Sequence, residues 1–363
     1  MKILISAYTG LGNFVMKTPL IAALRHHYPQ AKIDLITGNT FGVADLAKYN
    51  PSIKHVHELP MTASWRDKLH FFRHTLRPIQ YDYLLLPFDA QPNFLFIGSY
   101  VAQIRCRIRH QSISKHWKAR AIELLQQIMS PSYPTETVPL LPAYHETAKN
   151  CDLADRLARQ PIERNFGTQI FYPTAVNTLE RFGIVPQQAN IVVQCGAANG
   201  LFKVKTWQAE RFVAFFRTIL EQLPDYQLIL VGDKGDNENS IRPIVAQLPP
   251  NPRLINTAGQ TSIVDLLHIL DNANVIICHD SGVMHLGDAL QKPLLALWGP
   301  TDYQRTRPLR ASSKILVSQT PYTNCMYNFA TNEAELSAKG IGHAAMDGIS
   351  VEQVMEQLLL LIK

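Results

Sequence analysis

Residues 274–299, NVIICHDSGVMHLGDALQKPLLALWG, carry the architecture. NVIICHD (274–280) is a short apolar run, the length of a buried strand. GVMHLGDAL (282–290) follows with helical spacing, and PLLALWG (293–299) is a second apolar run. Strand, helix and strand joined by connections this short make a βαβ unit, whose strands lie parallel in a sheet covered by helices. The same rhythm extends upstream. NIVVQCG (190–196) and QLILVGD (227–233) read as strands, WQAERFVAFFRTILEQL (207–223) and SIVDLLHILDNA (262–273) as amphipathic helices. It also occupies the first half, with strands at KILISA (2–7), KIDLITG (32–38) and DYLLLPF (82–88) and a helix over 14–27. The pattern predicts an α/β protein of two Rossmann-like domains, 1–185 and 186–363, facing across a cleft. The linker falls within 173–190, between Pro173 and Pro186, and a last helix spans about 351–362. Ligands of such sheets bind beyond the carboxyl ends of the strands.

Composition agrees with this picture. At roughly 150 residues per domain, 363 residues suit two domains. With 46% apolar and 18% charged residues, the chain is neither disordered nor a small disulfide scaffold. The five cysteines, at 106, 151, 195, 278 and 325, form no CxxC pair, which points to reduced thiols and no zinc site. No apolar run approaches the roughly 18 residues of a membrane span. The longest, Leu84 to Ile104, is broken by Asp89, Gln91, Pro92 and Asn93. The first residues are too short a run for a signal-peptide core, so a cytoplasmic protein is expected.

The net charge of +6 is unevenly placed. Between Gln103 and Arg120 stand Arg105, Arg107, Arg109, Lys115, Lys118 and Arg120 with no acid; WRDKLHFFRHTLR (65–77), with Arg66 and Lys68, is a second basic stretch. The plain reading is a solvated helix face, and the functional one is an anionic partner. No nucleic-acid motif accompanies these stretches, so nucleic acid is not the expected partner.

Four segments carry candidate chemistry. TGLGNFVMKTP (9–19) joins a strand to a helix through Gly10 and Gly12, an arrangement that offers backbone N–H groups to an anion. The glycines could instead only permit a tight turn, and a nicotinamide-linked oxidoreductase is a rival reading that two positions argue against. Val15 holds the third glycine position, and the second strand closes on Thr37-Gly38 without the ribose acid. In CHDSGVMHLGDALQKPLLALWGPTD (278–302), Ser281 and Gly282 open a helix suited to a diphosphate, with His285 one turn in. Alternatively Asp280 is an ordinary cap and His285 a core histidine. His279, Asp280 and His285 have no known zinc spacing. GAANGLFKVKTW (196–207) ends in Lys203 and Lys205, either able to neutralise a phosphate, and VGDKGDNE (231–238) places acids after a strand where they can meet ribose hydroxyls.

Together these segments resemble glycosyltransferase family 9, the heptosyltransferases of the lipopolysaccharide inner core. The resemblance covers nearly the whole chain. It rests on GLGNFVMKTPLIAALRHHYPQAKIDLITG (10–38), KTW (205–207), GQTSIVDLLHIL (259–270) and above all HDSGVMHLGDALQKPLLALWGPTD (279–302). It implies a GT-B fold with an N-terminal acceptor half, a C-terminal nucleotide-sugar half, and a final helix that packs back toward the first domain. It implies that Lys205 contacts donor phosphates, that Ser281 and Gly282 hold the diphosphate, and that His285 is the family's helix histidine. Asp236 or Glu238 would bind ribose, and Gln260 and Thr261 would flank the base. Gly12 and Asn13, with the basic groups Arg66, Lys68, Arg105, Arg107 and Arg109, would meet an anionic glycolipid acceptor at the inner face of the bacterial inner membrane.

One position departs from the family: its Gly-Asp, whose aspartate is the proposed base, is Gly12-Asn13 here. An amide orients a hydroxyl but accepts no proton at neutral pH. Either Asp89 supplies the base, or proton loss lags bond breaking, or the chain binds without turnover. The expectation is an inverting, metal-independent transferase moving heptose from ADP-heptose. The alternatives are another nucleotide-sugar donor, in capsule or protein glycosylation, and a non-catalytic glycan or sugar-nucleotide binder.

Overall fold

The structure is a computed structural model that describes residues 1–38, 42–111, 124, 132–141, 144–174, 177–196, 203–326 and 333–362. The first sheet is built from β1 (Lys2–Ser6), β2 (Lys32–Thr37), β3 (His55–Glu58), β4 (Tyr83–Leu86), β5 (Cys106–His110) and β6 (Thr135–Val138). The second contains β7 (Ala189–Gln194), β8 (Tyr226–Val231), β9 (Leu254–Asn256), β10 (Val275–His279), β11 (Leu294–Trp298) and β12 (Ser313–Val317). Their orders are β3-β2-β1-β4-β5-β6 and β12-β11-β10-β7-β8-β9. Read from each sheet's own first strand the two orders are the same, and every pairing is parallel.

Each order reverses at one place, between β1 and β4 in the first sheet and between β7 and β10 in the second. At such a switch point the two adjacent connections leave toward opposite faces and open a crevice at the strands' carboxyl ends. The central strands are buried along their length, so their sequences run apolar without alternation.

The compact units are Met1–Phe171 and Tyr172–Lys363, so the division comes before the expected 185/186. Side-chain anchors explain the shift. The Tyr172 hydroxyl donates to Asp271 at 2.7 Å, the Pro173 carbonyl meets His268 Nε2 at 2.8 Å, and Thr178 donates to Asp265 at 2.9 Å. All three partners lie on the Ile263–Asp271 helix of the second unit. The last helix, Val351–Leu361, sets Val354, Met355 and Leu358 into the second unit's own core, with Phe212 and Phe216 of the Ala209–Gln222 helix.

Two expectations change. The helix read over 14–27 is two helices, Leu11–Val15 and Thr18–His27, because Pro19 has no N–H to continue the first one. The basic stretch from Gln103 includes β5, a strand buried at every residue, rather than a solvated helix face; Lys115, Lys118 and Arg120 lie outside the described residues.

Gly98 shows how tightly the first unit is packed. It lies on the Asn93–Val101 helix, and a Cβ there would stand 2.0 Å from the fully buried Phe72 ring. Gly98→Ala is therefore expected to lower stability by about 1–3 kcal/mol. Urea titration checks this: the midpoint should fall with the slope unchanged.

Candidate active site

A side-chain contact spans the switch point of the second sheet, where β7 and β10 pair. Ser281 follows β10, and its hydroxyl donates to the Gln194 carboxamide at the end of β7. That hydroxyl is therefore not turned onto the helix it precedes. The Gly282–Ala289 helix has no side-chain cap and no acid in its first turn. Elsewhere in this unit, Asp233, Ser262 and Ser350 each form a reciprocal capping box. The first N–H groups of the Gly282–Ala289 helix, at the positive end of its dipole, thus suit an anion.

Charged groups frame that helix start. Lys205 ends a short 3-10 turn, Lys203–Lys205, and its ammonium lies 3.3 Å from the Asp280 carboxylate. Burial would raise the Asp280 carboxyl, but Lys205 and His285 outweigh it and hold the group below its ordinary range. Burial pushes His285 below the ordinary histidine value, which favours a neutral ring beside the helix start. His279 is a structural residue: its Nε2 accepts the Trp207 N–H at 3.0 Å, and burial pushes its pKa down to about 4. Among the described residues no three metal-binding side chains come together.

The sequence missed what Asp236 does. It is 3% exposed, and its backbone N–H donates to Asp233 in the capping box. Its carboxylate sits where a Cβ on Gly196 would be 2.1 Å from Oδ1, so glycine there makes room for it. Asp236 is committed to the Lys234–Asp236 helical turn, while Glu238, in the π-turn Asn237–Ile241 that follows, is exposed. Gln260 is exposed and Thr261 half-buried, just past β9 and before the Ile263–Asp271 helix.

At the switch point of the first sheet, Asn13 lies in the Leu11–Val15 helix after β1, and Asp89 in the loop after β4. Lys17, absent from the expected set, joins them. Its ammonium donates to Asp89 Oδ1 at 2.7 Å and Oδ2 at 2.5 Å, and to the Asn13 carbonyl at 3.3 Å. Thr9 adds a hydroxyl donor to Asp89 Oδ2 at 2.7 Å. The Lys17 and Asp89 side chains are only 1% and 9% exposed. A buried carboxylate fixed by an ammonium and a hydroxyl is a preorganised acceptor. The available signal was a lysine amid apolar residues in FVMKTP.

His110, at the carboxyl end of β5, completes this cluster. Nδ1 accepts the Phe88 N–H at 3.1 Å, so the proton sits on Nε2 and points to the Lys149 carbonyl at 2.8 Å. Burial pushes this histidine down to about 4 as well.

The basic candidates separate. Arg109, near the same edge, is buried, and its Nε donates to the His110 carbonyl at 3.2 Å; Arg66 is exposed on the Trp65–Phe71 helix. Three expected acceptor contacts are corrected. Arg107 is fully buried, stacked 4.4 Å from the Tyr100 ring and bonded to Ser99, Thr135 and the Ile104 and Pro134 carbonyls. Lys68 is buried, donating to the Met61 carbonyl at 2.7 Å above the Phe94 ring. Arg105 precedes β5, so it lies at the amino edge, away from Asn13 and Asp89.

Two parallel six-stranded units of this kind form the GT-B fold of glycosyltransferases. The profile of glycosyltransferase family 9 (heptosyltransferase) matches residues 110–335, more than half the chain, and the chain belongs to that family. It is 24% identical to lipopolysaccharide heptosyltransferase 2 of Escherichia coli, over 100% of this chain and 99% of that protein. It is 25% identical to lipooligosaccharide heptosyltransferase 2 of Haemophilus influenzae, over 87% of this chain and 88% of that one. The structure of E. coli ADP-heptose lps heptosyltransferase II superposes with a TM-score of 0.78 at 20% identity, covering 100% of this chain and 98% of that one.

The buried histidines set an acid limit. Unfolded, His110 and His279 take up protons near 6.5; folded, only near 4. The unfolded chain then binds more protons between these values, so stability is complete above about 6.5 and is lost as pH falls toward 4. Urea midpoints measured across this window should decline, and His279→Asn should make the decline shallower.

Proposed function

We propose that this glycosyltransferase moves a heptose from ADP-heptose to an anionic inner-core glycolipid, with inversion at the anomeric carbon. The observation that carries the reading is the uncapped Gly282–Ala289 helix start beside the Lys205–Asp280 pair, at the second sheet's switch point. A diphosphate placed there meets free N–H groups, the Lys205 ammonium and the buried His285. As the anomeric C–O bond breaks, negative charge grows on the leaving diphosphate, and fixed donors of this kind supply the largest catalytic contribution. Asp280 keeps Lys205 oriented. The Lys205 ammonium and the positive end of the helix dipole face the diphosphate, so in this reading no divalent metal is invoked. Ser281 acts through its backbone; the Lys203 side chain lies outside the described residues. Glu238 takes the ribose, with Gln260 and Thr261 beside the base.

In this reading the first unit receives the acceptor. Asn13 and the Gly12 backbone orient the attacking hydroxyl, Asp89 takes its proton as the new glycosidic bond forms, and Lys17 positions Asp89. Arg109 and Arg66 supply positive charge for the acceptor's anionic groups. A lipid-linked acceptor would bring the enzyme to the cytoplasmic face of the inner membrane. Among the described residues no helix is long and apolar enough to cross it. The names of the full-length relatives support heptose as the sugar. Asn13, where the family has aspartate, favours one second reading: a binder of donor and acceptor that does not turn over.

Mass spectrometry of the surface glycolipid from cells with and without the gene tests the assignment. Loss of one heptose, restored by the unaltered chain, is expected; an unchanged core would sink it. Lys205→Met should weaken ADP binding at least tenfold in calorimetry. Asp89→Asn should lower kcat by about 10²–10⁴-fold with ADP affinity retained, as expected for loss of a general base. A large gain in turnover on Asn13→Asp, from a near-inactive parent, would instead favour the binding reading.

A further inference from the structure

Both basic stretches of the sequence reach one place that the transfer chemistry does not use. Arg73 and Arg77 come from 65–77, and Arg105 stands just before β5; all three line an open cavity of about 590 Å³ in the first unit. Gln80 and Gln103 complete its wall. Gln80 lies just before β4 and Arg105 just before β5, so the cavity opens at the amino edge of the sheet. Asn13 and Asp89 follow the carboxyl ends. Strands of four and five residues separate the two edges by roughly 13–17 Å. The cavity is therefore distinct from the acceptor site.

Its charge is poorly compensated. Asp82 pairs with Arg105 at 3.0 Å, and its other oxygen accepts the Lys2 backbone N–H at 2.8 Å. Among the described residues neither Arg73 nor Arg77 has a carboxylate partner. The two are four residues apart, on one side of a helical segment that widens into a π-turn over Phe72–Leu76 and tightens at Arg77–Ile79. His74 also lines the cavity, its ring 4.4 Å from that of His70.

The backbone gives a second indication. Gln80 and Gln103 have φ of 57° and 53°, two of the five non-glycine residues with positive φ among those described. Each ends a helix, a position where glycine is the unstrained choice. Glutamine at both positions keeps an amide donor on the cavity wall.

We propose that this cavity is a second anion site that binds a phosphate group. Planar guanidinium forks match phosphate oxygens in pairs, and the two glutamine amides add neutral donors. The volume falls within the usual range for ligand sites, roughly 300–1,000 Å³. The phosphate belongs either to a free phosphate compound or to a membrane lipid headgroup. Trp65 and Leu69, 50% and 42% exposed on the same helical segment, suit contact with a lipid surface.

The test compares the full chain with Arg73→Gln/Arg77→Gln and with a charge-matched control in the same unit, Lys48→Gln/Lys54→Gln. Inorganic phosphate is titrated calorimetrically. Sedimentation is measured with vesicles of phosphatidylcholine, with and without phosphatidylglycerol. At least tenfold weaker binding of phosphate, of phosphatidylglycerol vesicles or of both, in the arginine variant alone, is expected. A loss confined to phosphate identifies a free compound as the natural ligand; a loss that includes the vesicles identifies a lipid headgroup. Phosphate held at the donor site is untouched by these substitutions, so only the difference between proteins counts. Gln80→Gly/Gln103→Gly is the second variant. It should weaken the same binding without lowering the urea midpoint. Equal binding by wild type and the arginine variant, or an equal loss in the lysine control, overturns the proposal.

Discussion

Parallel pairing is the constraint on which the rest of the molecule depends. Every strand of a sheet points the same way, so all carboxyl ends lie on one edge and every return path crosses a face as a helix or a long loop. The faces are thereby covered, and the strands must be apolar throughout. Functional groups are left with the edges. Both units have one strand order, so each has a single reversal, and the candidate groups collect there: Asn13, Lys17 and Asp89 in the first unit, Gln194, Asp280 and Ser281 in the second.

The two switch points use this crevice in opposite ways. In the first, the polar groups are satisfied internally. Lys17 and Asp89 neutralise each other, and His110 has a partner at each ring nitrogen. Taking two charges out of water is costly unless the pairing geometry is good, and here Asp89 accepts from both Lys17 and Thr9. In the second, satisfaction is withheld. Ser281 spends its hydroxyl on Gln194, and the helix behind it keeps open N–H groups. A fixed carboxylate and an uncapped helix start are the complementary features that the proposed transfer from a phosphate leaving group requires.

Much of this was legible in the sequence. Short apolar runs separated by helical periods define parallel strands, and the best-read elements, β7, β8, β10 and β11 with the helices between them, came within a few residues of their positions. DSG at 280–282 marked the turn between β10 and the uncapped Gly282–Ala289 helix, because a small residue and a glycine suit a tight strand-to-helix junction. The basic stretches misled. Their charge pattern resembles a surface, yet CRIRH is a buried strand, because Arg107 finds two aromatic rings and four hydrogen-bond partners that no linear pattern displays. Asp236 misled for a similar reason: the space that holds it is made by Gly196, forty residues away.

By itself, then, the sequence determined the α/β class, the division into two Rossmann-like halves and the strand-to-helix turn at 280–282. These depend on periodicity and on neighbours a few residues apart. Tertiary structure alone decided which charges come together. Lys17 meets Asp89 across 72 residues, Lys205 meets Asp280 across the sheet's switch point, and Arg73 meets Arg105 at the opposite edge. The fate of a charge is fixed by desolvation and by partners within a few ångströms, and chain order carries neither.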